Sequence, residues 1–171
     1  MKRYVIKIQY NSPVVLTFAL LALGALGLGI LTDGDTTMRY FSVYRAPLAD
    51  PLTWLRFFTH VLGHADYNHY IGNMLLILVV GPPLEEKYGS RSLLLAIVIT
   101  ALVSGLVQFI FFPGVALLGA SGIVFMMIVM SSLAGMKSRC IPLTLIFVVV
   151  FYLGGEIAAG LFSLDNVSQL T

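Results

Sequence analysis

Five long apolar runs, parted by short polar breaks and one long mixed connection, set the layout of this 171-residue chain. Their lengths suit helices that cross a bilayer, which takes about 20 apolar residues apiece. The pattern predicts spans over about 13–31, 67–84, 92–112, 120–136 and 142–162. Pro13 suits a first helical turn, because the N–H it lacks is one that a helix start leaves unpaired anyway. "GPPLEEKYG" closes the second run, and Pro113-Gly114 ends the third. The connection over 32–64 holds Trp54, several tyrosines and phenylalanines, and charges of both signs. That mixture predicts a loop folded into the membrane interface, where aromatic rings sit at headgroup level. With no internal repeat and no low-complexity tract, one domain over 1–171 is expected.

Composition narrows the class. Hydrophobic residues make up 58% of the chain and charged residues 11%, a balance that excludes a soluble domain and points to an all-α polytopic membrane protein. A net charge of +2 gives no reason to expect a nucleic-acid partner. Cys140 is alone, so an internal disulfide is excluded. "MKRYVIKIQYNSP" lacks an apolar core and a small-residue cleavage site, so the first run reads as a retained span and not a signal peptide. Lys2, Arg3, Lys7, Lys87, Arg91, Lys137 and Arg139 fall on one side of the layout, and Arg39, Arg45 and Arg56 on the other. The positive-inside rule then sets the N-terminus in the cytoplasm.

Polar side chains inside spans are the candidate chemistry, since a charge there costs roughly 2.5–3.5 kcal/mol. His69 and Asn73 are four apart, so they stack on one helix face near its outer end. Two stacked polar groups there suit either an oxyanion or an interhelical hydrogen bond. His60 and His64 are also four apart, in the last turn of the connection, with Asp66 suited to cap the next helix. "HVLGH" lacks the glutamate of H-E-x-x-H and no further ligand cluster follows, so no metal is expected and the histidines read as structural. Glu85 lies between Gly81 and Gly89 at intervals of four. A carboxylate at a helix C-terminus opposes the macrodipole, so Glu85 is expected to be tied to backbone donors, Lys87 or Arg91. Glu156 sits among small residues in the last run and receives no role.

"LLGASGIVF" places Ser121 between glycines at the start of the fourth run. Small residues at such spacing commonly serve helix packing. A serine on a glycine-flanked turn at a helix start is also the setting of an exposed nucleophile with its own oxyanion donor. The connection between the third and fourth spans lies on the side where His69 and Asn73 lie, which favours the catalytic reading.

In this order, "RFFTHVLGHADYNHYIGN", "GPPLEEKYG" and "GASG" resemble the rhomboid intramembrane serine proteases. The resemblance implies a rhomboid-like helical bundle that cleaves single-span membrane proteins, needing no cofactor and no metal. Ser121 would be the nucleophile. His69, Asn73, Gly119 and the Ser121 backbone N–H would bind the oxyanion. Gly81, Glu85, Gly89, Gly122, His60 and His64 would support the site. Membrane lipids and transmembrane substrates would be the partners, and a bacterial plasma membrane the location.

The sequence departs from the family's pattern in one respect. That pattern places its general-base histidine on a sixth helix, whereas the three histidines here are His60, His64 and His69. Five spans of an expected six, and a C-terminally incomplete domain, follow as expectations. A chain without that base is expected to be inactive alone, completed by a fragment carrying the sixth helix or left to self-associate. A non-catalytic relative that binds membrane clients is the competing reading.

Overall fold

The computed structural model describes residues 10–134, 142, 143, 145–151 and 154. Its named elements are α1 (Pro13–Leu31), α2 (Asp35–Tyr40), α3 (Pro51–Thr59), a 3-10 turn (His60–Leu62), α4 (Tyr67–Tyr88), α5 (Ser90–Phe111) and α6 (Ser121–Ala134). The chain divides into two compact units, residues 1–127 and 128–171. In the second, the described residues other than Pro142 are helical, and Phe147 and Phe151, one turn apart, stack at 5.9 Å. The expected fifth span, Lys137, Arg139, Cys140 and Glu156 lie largely or wholly outside the described residues, as do Lys2, Arg3 and Lys7.

In the first unit α1 packs most extensively on α4, and α3 on α5. Among the described residues, α1 and α5 are each long and apolar enough to cross a membrane, and α6 is a shorter apolar helix. Helix α1 is apolar all round. It buries Val15, Phe18, Ala22, Ala25 and Gly29 on one stripe and exposes Leu20, Leu23, Leu28 and Leu31 on another, as a helix with protein on one side and lipid on the other requires. Helix α4 matches α5 in length but carries Asn68, His69 and Asn73 at one end and Glu85, Glu86 and Lys87 at the other.

Two boundaries differ from the sequence expectation. The connection over 32–64 is mostly helical and not a loop. Asp50 caps α3 by accepting from Leu52 N at 2.9 Å, and Pro51 supplies the first helical position. Arg56, buried to 3% exposure, organises the segment: it pairs with Asp50 at 3.1 Å, reaches Thr53 Oγ1 and the Tyr44 hydroxyl, and stacks over the Tyr44 ring. Val43 and Phe57 of this segment pack with Phe109 of α5, where the two phenylalanines meet edge to face at 5.4 Å. Helix α4 also continues through Pro82 and Pro83 to Tyr88, beyond the predicted end at 84. The prolines forfeit two backbone donors, but the turn that follows is secured from outside the helix.

Glu85 supplies that anchor. Its carboxylate, 5% exposed, accepts from Val14 N and Val15 N at 3.0 Å each and from Ser90 Oγ at 2.7 Å. The acid thus opposes its own helix dipole while capping the N-terminus of α1, where unpaired N–H groups and the positive dipole end attract an anion. At Gly81 the two helices are so close that a Cβ would lie 2.7 Å from Val15 Cγ2. Gly89, at φ +82°, makes the whole turn between α4 and α5 in one residue.

Candidate active site

Asp66 fixes the start of α4: its carboxylate accepts from His69 N at 2.8 Å. His69 and Asn73 therefore stand one turn apart on the same face, His69 half-buried and Asn73 buried. The Asn73 Nδ2 group is buried and has no hydrogen-bond partner among the described residues. A buried donor left unpaired costs about 1–3 kcal/mol, and Arg56 Nε, His60 Nδ1 and His64 Nε2 are likewise buried without a partner among the described residues.

The loop before α6 is drawn to the same place by backbone bonds. Val43 and Leu117 exchange both hydrogen bonds at 2.8 Å, a single antiparallel bridge, and Gly119 N donates to His60 O at 2.9 Å. Gly119 adopts φ +121°, and a Cβ on it would lie 2.8 Å from His69 Cε1, 2.9 Å from His69 Nε2 and 4.0 Å from Asn73 Nδ2. Only glycine combines that backbone with that proximity. Two residues later Ser121 opens α6, with Ala120 as the preceding residue whose carbonyl accepts from Val124 N at 2.9 Å. Ser121 is half-buried, at the end of the helix where backbone N–H groups are unpaired within the helix. Residues about 50 apart in sequence, His69 and Ser121, are thus gathered around Gly119.

His60 and His64 lie behind this group, each 1% exposed. His60 Nε2 is 3.0 Å from Ala101 O and 3.5 Å from Ser104 Oγ. His64 Nδ1 is 3.1 Å from Leu62 O, and its ring meets His69 at 5.1 Å and Tyr70 at 5.4 Å, both edge to face. The break in helix at Gly63–Ala65 lets His64 turn back onto His69, which one continuous helix would forbid. Burial holds the pKa of both imidazoles below the ordinary value, that of His64 down to about 4. Both rings are neutral at pH 7 and are packing groups with single backbone anchors. Among the described residues no three His, Cys, Asp or Glu side chains gather to hold a metal.

The expected site residues fall into two groups. His69, Asn73, Gly119, Ser121, His60 and His64 come together at one end of the unit. Gly81, Glu85 and Gly89 lie toward the other end of α4, about 18–30 Å along the helix from His69 at 1.5 Å per residue. Gly122 is under little steric demand, since a methyl there would meet Thr100 and Ser104 at 3.9 Å and 4.0 Å. Arg56 and Ser104 were not among the expected site residues. The signal for Arg56 was present: one arginine in an aromatic helix that begins Asp-Pro, where a buried charge needs the carboxylate one and a half turns back.

Beside the site, a cavity of about 430 Å³ is lined by Leu26, Thr37, Met38, His64 and Leu118 among others. Leu118 directly precedes Gly119, so this cavity adjoins the loop that leads into Ser121.

Comparison with known proteins gives a consistent result. The profile of the Rhomboid domain matches residues 51–171. Over 70 residues the chain is 39% identical to rhomboid protease GlpG of Enterobacter sp. (strain 638), covering 41% of this chain and 25% of that protein. It is 33% identical over 85 residues to rhomboid-like protein 11, chloroplastic, of Arabidopsis thaliana, covering 49% and 30%. It is 35% identical over 86 residues to rhomboid-related protein 2 of Mus musculus, covering 46% and 28%. The matched stretches therefore span under a third of each of these relatives.

Proposed function

The chain belongs to the rhomboid family, and on that premise we propose that it is the catalytic core of an intramembrane serine endopeptidase acting on single-span membrane proteins. Ser121 Oγ attacks the scissile carbonyl, forming an acyl-enzyme and releasing the amine. The oxyanion is met by the Ser121 backbone N–H and by the side chains of His69 and Asn73. Gly119 keeps the wall of the site flat so that His69 can lie against the loop. The observation that carries this reading is the convergence of the α6 start and the His69–Asn73 pair on Gly119, with the Asn73 amide buried and without a described partner. The cavity bordered by Leu118, Met38 and Leu26 is assigned to a side chain of the substrate strand.

A serine hydroxyl needs a base at neutral pH. His60 and His64 are held by backbone carbonyls, and His69 is assigned to the oxyanion. The base is therefore assigned to none of these three rings, and a serine without a base reacts at least about 10³-fold more slowly. The N-terminus faces the cytoplasm in this reading, and the chain crosses the membrane five times.

Co-expression of the complete gene product with a panel of epitope-tagged single-span proteins tests the proposal. Cleavage within or beside a transmembrane segment is expected with the native enzyme and is absent with Ser121→Ala. Co-purification of intact partners with both, and cleavage with neither, would instead establish the second reading, a non-catalytic client binder.

A further inference from the structure

Away from the candidate site, at the end of the bundle where α1 and α5 begin, two cavities meet. One is an apolar groove of about 360 Å³ between α1 and α5, walled by Phe18 and Leu21 on one side and Leu94 and Ile97 on the other. The second is a polar pocket of about 470 Å³, walled by Asn11, Ser12, Glu85 and Glu86. Pro13 and Ser90 line both. A polar pocket thus adjoins an apolar groove.

The groove's dimensions fit one lipid chain. It follows α1 from Pro13 to Leu21 and α5 from Ser90 to Ile97, about 11 Å at 1.5 Å per residue. That is most of one leaflet, about 15 Å deep. Its few hydroxyls are already engaged: Thr17 Oγ1 with Tyr10 Oη at 2.9 Å, and Ser90 Oγ with Glu85 at 2.7 Å. What remains of its lining is hydrocarbon.

The polar chamber selects a headgroup by charge. Glu85 is satisfied by three donors from the protein. Glu86 is exposed and has no hydrogen-bond or ion-pair partner among the described residues. Asn11 and Ser12 add further hydrogen-bonding groups to the wall. Such a chamber suits a compact cation with several N–H donors. A primary ammonium has three, a trimethylammonium has none, and a phosphoglycerol headgroup brings a net negative charge toward Glu86. Arg91, exposed beside Ser90, is available to the phosphate.

We propose that the α1–α5 groove seats one acyl chain of an aminophospholipid, with its ammonium headgroup in the Glu86-lined chamber. The site is about 24 Å along α4 from His69 and does not depend on the proposed chemistry.

The test uses the protein in nanodiscs with three photoreactive lipids that share one diazirine-bearing chain and differ in headgroup: ethanolamine, choline or glycerol. Adducts are mapped by mass spectrometry. Those on residues 13–21 and 90–97 are expected to be about threefold more abundant with the ethanolamine lipid, the preference an exposed ion pair supports. Glu86→Gln is expected to remove the preference while leaving groove adducts in place. Leu94→Trp, at a position 51% exposed and so tolerant of size, is expected to fill the groove and lower adducts from all three lipids. Equal yields from the three headgroups in the native protein would overturn the proposal. So would adducts that ignore Leu94→Trp, or that spread evenly over the exposed faces of α4 and α5.

Discussion

Gly119 is the residue on which the two halves of the candidate site press. Its φ of +121° is costly for any side chain, and a methyl group would drive into the His69 ring 2.8 Å away. Gly119→Ala is therefore expected to reduce the rate of Ser121 modification by at least about tenfold, the effect of moving one oxyanion donor. Its melting temperature should fall as well, because Gly119 is buried and neither its φ nor the His69 ring leaves room for a methyl. Rate and melting curve measured on the same preparation check both statements. Gly122 makes the contrast. A methyl there meets only ordinary contacts at 3.9 Å and 4.0 Å, so Gly122→Ala is expected to retain most of the native rate.

At the scale of elements, Glu85 holds α4 to α1. Removing its carboxylate strands the N–H groups of Val14 and Val15 at the start of a buried helix end. Glu85→Ala should destabilise by about 3 kcal/mol, the size of two hydrogen bonds to a charged acceptor less what water recovers. Glu85→Gln should cost less, since it keeps an oxygen but loses the charge. Thermal unfolding in detergent orders the three proteins. Arg56 does similar work within the α3 segment, and Arg56→Met should lose about 2 kcal/mol, chiefly from its hydrogen bonds to Thr53 and Tyr44, since Asp50 is 38% exposed and keeps water as a partner.

These two anchors also mark what was legible in the sequence. The ends of α1 and the start of α6 fell where the hydrophobic pattern put them, because Pro13, Pro113-Gly114 and the glycine-rich lead to Ser121 punctuate unbroken apolar runs. The helices within 32–64 were not visible. They are short and amphipathic, and their order comes from Arg56 and from packing on Phe109, both long-range effects. Helix α4 runs past 84, where the apolar run stops at Glu85, and the charged last turn is held by a contact 70 residues away in sequence. His69 and Asn73 were legible as a stacked pair from spacing alone. The closeness of Gly119 to His69 was not, since no local pattern encodes it.

For the molecule as a whole, the buried histidines tie stability to pH. His64 has its pKa lowered from 6.5 to about 4 by burial, and His60 is lowered for the same reason. The unfolded chain binds protons at these rings where the folded chain does not, so acid favours unfolding. Stability is at its full value above pH 6.5 and is expected to fall as the pH drops toward about 4. His64→Asn should flatten this dependence below pH 6.5, whatever it does to stability at neutral pH. Melting temperatures taken between pH 7 and pH 4.5 for both proteins test the sign. A native protein that grows more stable on acidification over this interval would contradict the account of these two rings.

The central claim is that Ser121 is a nucleophile set at the start of α6. The most direct measurement is the mass of the complete gene product after reaction with a fluorophosphonate, followed by peptide mapping. One adduct per chain on Ser121, lost in Ser121→Ala and slowed in Gly119→Ala, is the expected result. A folded protein that takes up no adduct, or takes it up at another residue while Ser121 stays unmodified, would contradict it.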